Sequence, residues 1–243
     1  MRLTRSHVDA PLQVGDEITL PEDVASHLLR VLRLQEGDAC VLFNGDGHDY
    51  DARISAIGKR EARAQVLSAR RIDNESPLRI TLLQGIARGE KMDWILQKAT
   101  ELGVGRILPA SSDRGEVKLD AQRADKRLAH WRGVVVSACE QSGRAVVPDV
   151  AAPLPVAKAA GFRTGRGFIL DPFADASLAS LQTETFRECT IAIGPEGGWS
   201  PRDREHLLAA GFEGLRLGPR VLRTETAGIA AIAALQALCG DLG

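Results

Sequence analysis

Ile193-Gly194-Pro195-Glu196-Gly197-Gly198-Trp199-Ser200 and Leu217-Gly218-Pro219-Arg220-Val221-Leu222-Arg223-Thr224-Glu225-Thr226-Ala227 decide how this chain reads. Each follows a short apolar run (190–193 and 215–217), and each leads into a helix-like stretch. Bare backbone arranged in this way can surround a ligand at the carboxyl end of a sheet. Glycine removes a Cβ and permits positive φ, so several N–H and C=O groups can converge on one small molecule. Gly-Pro pairs are also ordinary turn punctuation. One such loop reads as a turn; two, both ending strands in the last third of the chain, favour a site.

Outward from these loops, strands and helices alternate back to the turn-forming cluster Asp73-Asn74-Glu75-Ser76-Pro77. Strands are predicted at 79–83, 106–109, 167–170, 190–193 and 214–217. Helices are predicted at 90–102, 121–141, 176–183, 201–210 and 224–238. Ser200, Pro201 and Asp203 read as an N-cap, a first-turn proline and a capping acid. This alternation argues for an α/β domain, a mostly parallel sheet with helices on both faces. Before the cluster the pattern changes to short β-type runs at 17–20, 39–43, 50–57 and 62–69, with Asn44-Gly45-Asp46-Gly47 as a hairpin signal. One helix, 22–34, interrupts them, which suggests a small β-barrel. Two domains follow, 1–72 and 76–243.

The 243 residues carry a formal net charge of −1, with 44% hydrophobic and 26% charged residues. Such a chain is not a polycation, so a nucleic acid would have to be held by a local patch. The N-terminus lacks the apolar run of a secretory signal. The most apolar stretch, 227–239, is shorter than the ~20 residues that span a bilayer. Cysteines 40, 139, 189 and 239 form no C-x-x-C pair, and the histidines show no metal spacing. Free thiols in a reducing cytoplasm, no metal and no membrane partner are the reading.

Gly85-Ile86-Ala87-Arg88-Gly89-Glu90-Lys91 echoes a phosphate loop, but a Glu separates Gly89 from Lys91 and Met92 stands where Ser or Thr would ligate magnesium. On helix 22–34, Val24, Leu28, Val31 and Leu32 share the core face, while Arg30 and Arg33 lie opposite with His27 at the border. Two outward arginines are either plain surface or a phosphate clamp. Lys98 and Glu101 suit a surface pair at i and i+3. Glu140 sits near a helix C-terminus, where its charge opposes the dipole, a local conflict that draws attention to the site. The helix over 224–238 is apolar around almost its whole circumference, so it needs cover on every side, from its own chain or from a second copy.

G-P-E-G-G followed by L-G-x-x-V-L-R-T-E-T-A resembles the cofactor-binding signature of the SPOUT methyltransferases, and more narrowly the RsmE-type 16S ribosomal RNA (uracil-1498-N3)-methyltransferases. His27-Leu28-Leu29-Arg30-Val31-Leu32-Arg33, the segment Lys91–Gly103 and Ala138-Cys139-Glu140-Gln141-Ser142-Gly143-Arg144 resemble the same family in the same order, so the resemblance spans nearly the whole chain. It implies a trefoil-knotted C-terminal domain with the loop 217–227 threaded, a PUA-like RNA-binding barrel, and a homodimer formed through the C-terminal domain. The implied cofactor is S-adenosyl-L-methionine, held at Leu170, Ile193, Gly194, Pro195, Glu196, Gly197, Gly198, Leu217, Gly218, Leu222, Arg223, Thr224, Thr226 and Ala227. The implied partner is 16S rRNA of the small ribosomal subunit. His27, Arg30, Arg33, Arg88, Lys91, Gln141 and Arg144 become RNA-contact candidates. Because an imide N3 must lose its proton to become a nucleophile, a carboxylate and an arginine are expected at the reacting base. Arg220, Arg223, Glu225 and Glu140 are the catalytic candidates, with the identity of the base left open.

Overall fold

The computed structural model describes residues 3–58, 61–115, 121–182 and 185–243. The chain divides into two compact units: Met1–Glu75 with Cys139–Val147, and Ser76–Ala138 with Pro148–Gly243.

The first unit contains β1 (Arg5–His7), β2 (Glu17–Thr19), α1 (Glu22–Ser26), β3 (Ala39–Phe43), β4 (His48–Ile57) and β5 (Ala62–Arg71). The strands form one sheet in the order β1-β3-β4-β5-β2, antiparallel except for β1 beside β3. Alternate residues of β4 and β5, such as Ile54, Ala64 and Val66, pack with Leu28 and Leu42 in its core. β1 carries no apolar alternation and escapes sequence reading. It forms around Arg5, a buried residue whose guanidinium contacts Asp49 at 2.6 to 3.2 Å. The same group donates to the carbonyls of Cys139 at 2.7 Å and Arg144 at 3.2 Å. Asn74 donates to the Gly143 carbonyl at 3.0 Å. These long-range bonds place segment Cys139–Val147 in the first unit, whereas continuity of sequence assigns it to the second.

The helix expected over 22–34 changes character partway. Its α-helical part ends at Ser26 and the next turn, His27–Val31, is π-helical. The wider turn resets the angular position of every residue after it. Leu28 is fully buried, but Val31 is 66% exposed and Leu32 is also exposed, so neither joins the core as periodicity suggests. Arg33 follows with φ 57°, in the left-handed region that side chains other than glycine rarely adopt.

The second unit contains β6 (Arg79–Gly85), α2 (Glu90–Glu101), β7 (Val104–Ser111), α3 (Ala121–Ser142, whose last residues belong to the first unit), β8 (Asp149–Val150) and β9 (Leu154–Pro155). It continues with α4 (Val156–Ala159), β10 (Arg166–Leu170), β11 (Glu188–Ile193), α5 (Pro201–Ala209), β12 (Phe212–Leu215) and α6 (Thr224–Cys239). Its sheet runs β12-β10-β11-β6-β7-β8, with β9 also on β7, and every pairing is parallel. Parallel strands are covered on both faces and so read as continuous apolar runs. Leu83, Leu108, Ile169 and Ala192 pack with Val156 of α4 and Leu207 of α5, while α6 lies on β11 and against α2.

The cap expected before α5 is present. Ser200 Oγ accepts from Asp203 N and Asp203 Oδ2 accepts from Ser200 N, both at 3.0 Å, with Pro201 in the first turn. The helix expected over 176–183 is instead a 3₁₀ turn, Leu178–Leu181; Thr183 lies outside the described residues. There the Ser180 hydroxyl donates to the Ser177 carbonyl, a local bond that competes with helix propagation. α6 buries Gly228, Ala231, Ile232, Leu235 and Gln236 within its own chain. Its opposite side, with Ala233, Ala234, Ala237 and Leu238, remains partly or fully exposed.

Candidate active site

Both glycine-bearing loops line one cavity of about 600 Å³ in the second unit. The loop after β11 contributes Ile193, Gly194, Pro195, Glu196 and Gly198; the loop into α6 contributes Leu222, Arg223, Thr224, Glu225 and Ala227; Leu170 ends β10 beside them. Leu217, Gly218 and Arg220 line an adjoining recess that shares Leu170, Leu222 and Ala227. Thr226 borders a third hollow with Gly218 and Arg220. Gly197 lines neither the cavity nor the recess, and a Cβ on it would lie 3.1 Å from the Arg114 carbonyl oxygen.

Close backbone approach shapes the wall. A Cβ on Gly194 would sit 3.0 Å from Gly198 Cα and 3.1 Å from Trp199 N. A Cβ on Gly85, at the end of β6, would fall 2.5 Å from Pro195 Cδ. The glycines thus let the β11 loop fold upon itself and rest on β6. Gly194 therefore serves loop closure, while Gly198 (φ 66°) and Gly218 (φ 139°) occupy backbone conformations that favour glycine.

Two polar atoms in this wall are buried without a hydrogen-bond partner among the described residues, Trp199 Nε1 and Glu225 Oε2. Leaving such atoms unpaired is costly, so a donor-and-acceptor-bearing ligand fits the cavity. An apolar lining with a few convergent polar groups is what an organic cofactor requires.

At the rim, Glu196 accepts from Arg88 N and from Lys91 Nζ, each at 3.2 Å. Burial pushes its carboxyl up, but hydrogen bonds from its own N–H, from Arg88 N–H and from the Lys91 ammonium outweigh this and hold it below the usual carboxylate range. Lys91 thus stands in an ion pair beside the cavity, which it also lines. Lys98 and Glu101 form the expected pair at 2.8 Å.

Other candidates lie in the first unit. The Glu140 carboxylate accepts from His7 N at 2.9 Å, which gives it a structural partner. Arg144 is only 4% exposed and forks the exposed Glu75 at 2.8 and 2.5 Å, so an ion pair engages the guanidinium expected at the RNA. Gln141, His27, Arg30 and Arg33 are exposed. Sequence reasoning misses Arg114, Asp171, Phe173, Trp199 and Arg204, all of which line the cavity. The position of Asp171, directly after a strand end, is the one signal that could have found it.

A parallel sheet carries two glycine loops around one cavity at its strand ends, in a chain that also has a small strand-rich unit, and the families these two parts match make the chain a two-part RNA methyltransferase. Residues 74–236 match the RNA methyltransferase domain and residues 20–67 the RNA methyltransferase PUA domain. The chain belongs to the ribosomal RNA small subunit methyltransferase E family. The family's member from Buchnera aphidicola subsp. Schizaphis graminum is 34% identical over 99% of this chain and 98% of its own length. The Bacillus subtilis member is 30% identical over 86% and 85%. Among solved structures, the Neisseria gonorrhoeae ribosomal RNA small subunit methyltransferase E bound to S-adenosyl methionine superposes with TM-score 0.94 at 40% identity, covering 100% of both chains. The Legionella pneumophila methyltransferase Lpg2936 in complex with the same cofactor gives TM-score 0.95 at 34% identity, again covering 100% of both.

Proposed function

We propose that this protein transfers a methyl group from S-adenosylmethionine to N3 of one uridine, U1498 by family resemblance, in 16S rRNA of the small ribosomal subunit. The observation that carries this reading is the convergence of both glycine loops on one cavity with unpaired polar atoms in its wall. Leu170, Ile193, Gly194, Pro195, Glu196, Gly198, Leu222, Thr224 and Ala227 would hold the cofactor there, with Leu217 and Gly218 in the adjoining recess. Gly197 and Thr226 would support the same loops. When bound, the cofactor supplies an electrophilic methyl on a sulfonium.

The residues of this chain must then prepare the nucleophile. Glu225 is the carboxylate assigned to take the N3 proton, because one of its oxygens is buried in the cavity wall without a partner. Glu140 already accepts from a backbone N–H, which favours Glu225 of the two. Loss of the proton spreads negative charge onto O2 and O4. Arg223, in the same wall, and Arg220, in the adjoining recess, are the cations assigned to those oxygens. His27, Arg30, Arg33, Arg88, Lys91 and Gln141 are assigned to RNA contact, supported by exposure at five of them and by the rim position of Lys91.

Three further assignments accompany the reading. The loop 217–227 is assigned, by family resemblance, to the threaded segment of a trefoil knot, a reading compatible with its delivery of Thr224 to Gly194 at the end of β11. The working unit is a homodimer through the C-terminal domain, supported by the small-residue side of α6 left open in the single chain. The site of action is the cytoplasm, in keeping with buried Cys40, Cys139 and Cys189 outside any disulfide.

Mass spectrometry of 16S and transfer RNA from a deletion strain tests the function. Loss of one 3-methyluridine from 16S rRNA, restored by the wild-type gene and not by Glu225→Gln, is the expected result. A strain with unaltered 16S rRNA would defeat the reading.

A further inference from the structure

Phe173 is 86% exposed, more than any other large hydrophobic side chain among the described residues. Scattered exposed apolar residues need no explanation, but this one stands in the wall of the cavity, in a chain with only 4% aromatic residues. Val221, on the loop that leads into α6, lines the same cavity and is 76% exposed. Two of the most solvent-exposed apolar side chains therefore border the site where methyl transfer is assigned.

The backbone under Phe173 is held firmly. Its N–H donates to Asp171 Oδ1 at 3.0 Å, and Ala174 N donates to the Asp171 carbonyl at 3.2 Å. Asp171 N donates in turn to the Leu215 carbonyl at 3.0 Å, and Asp171 Oδ2 pairs with Arg204 at 2.8 Å. A backbone held in this way fixes where the exposed ring is presented, so a flat partner that stacks on it orders only the side-chain torsions.

We propose that Phe173 is the platform on which the target nucleobase stacks, with Val221 as a second apolar contact, once that base has left its neighbours in the RNA. The proposal rests on the functional reading above. A base within a helical stack cannot bring a ring nitrogen into a protein cavity, so enzymes acting on it extrude it and stack it against aromatic or apolar side chains. Arg114 and Lys91 line the same cavity and suit the adjacent phosphates, which favours a nucleotide over a protein segment as the occupant.

The test uses the full chain and its Phe173→Ala, Phe173→Leu and Phe173→Tyr variants, with a 16S rRNA fragment as methyl acceptor and calorimetry for the cofactor. Stacking predicts that Phe173→Ala lowers kcat/KM for RNA by about ten- to hundredfold. Phe173→Leu should fall with it, Phe173→Tyr should retain activity, and cofactor affinity should stay level in all three. RNA carrying 5-bromouridine at the target should photocrosslink to Phe173 in the wild-type protein. Full activity in Phe173→Ala or Phe173→Leu overturns the platform, as does cofactor affinity that falls in parallel with activity, which would place the ring over the cofactor instead. Wild-type protein that binds cofactor but methylates no uridine defeats the functional reading, and the platform with it.

Discussion

The hydroxyl of Thr224, in the first turn of α6, donates to the carbonyl of Gly194 at 2.6 Å and accepts from Gln84 Nε2 at 3.1 Å. One side chain thus ties the two glycine loops together and joins both to the end of β6. Gln84 is fully buried and also donates to its neighbour's carbonyl, Gly85 O, at 2.8 Å. The cavity wall is therefore set by a short polar chain as well as by bare backbone.

Thr224→Val keeps the shape and removes the hydroxyl, leaving the Gly194 carbonyl and the Gln84 amide without it. The cost should be about 1–3 kcal/mol in stability. S-adenosylmethionine affinity should fall about tenfold, an energy of about 1.4 kcal/mol. Thr224→Ser should restore both. Unfolding curves and calorimetry on the two variants check this, and equal affinities would remove the link from the site.

Gly85→Ala tests the packing of the β11 loop from outside the cavity. Its Cβ would meet Pro195 Cδ at 2.5 Å and Pro195 N at 2.6 Å, a clash that only a backbone shift can relieve. Overpacking of this kind costs about 1–3 kcal/mol. Weaker cofactor affinity in a still-folded protein is expected, and a variant indistinguishable from wild type would show that the loop does not rest on β6 as described.

Arg33 separates stability from function. Its left-handed backbone costs a non-glycine residue about 1–2 kcal/mol. Arg33→Gly should therefore gain part of that energy in thermal unfolding while weakening RNA binding. Arg30→Ala combined with Arg33→Ala should lower the slope of log K against log salt by about 0.7 to 0.9 for each phosphate no longer neutralised. Cofactor affinity should not change. A double variant with the wild-type slope would return both arginines to ordinary surface.

Burial pushes the Cys40 and Cys139 thiols up to about 11 and Cys189 up to about 12, from an ordinary thiol value of 9.0. Near pH 8 these thiols should resist iodoacetamide in the folded protein and react after denaturation, as mass spectrometry of tryptic peptides can show. Because folding raises these pKa values, their contribution to stability is complete below about pH 9 and declines as pH rises towards 11 to 12. Rapid native alkylation at pH 8 would contradict the burial.

Dimer formation can be tested on the open side of α6. Ile232 is fully buried within the chain, so a charge there would disrupt folding and report nothing on assembly. Ala237 and Leu238 are exposed. Ala237→Glu with Leu238→Glu should sediment as a folded monomer with reduced activity, whereas wild type should sediment as a dimer. Monomeric wild type at micromolar concentration with full activity would end the proposal.

Local rules determine much of this protein. Apolar runs bounded by turn residues locate β6, β7, β10 and β11 and their alternation with helices, and the Ser200–Asp203 cap lies where capping chemistry places it. The two glycine loops are legible because their requirement, backbone free of Cβ atoms, is written in residue identity. Tertiary structure decides what depends on partners distant in sequence. β1 exists because Arg5 meets Asp49 and the carbonyls of Cys139 and Arg144, and no periodicity in Arg5-Ser6-His7 announces that. The π-turn at His27–Val31 moves Val31 out of the core, since one extra residue in a turn changes every later angle. Likewise the buried Arg144 acquires an ion pair with Glu75, and Phe173 a place in the cavity wall. Sequence specifies which groups a residue carries; only the folded chain specifies which of them remain open to a ligand.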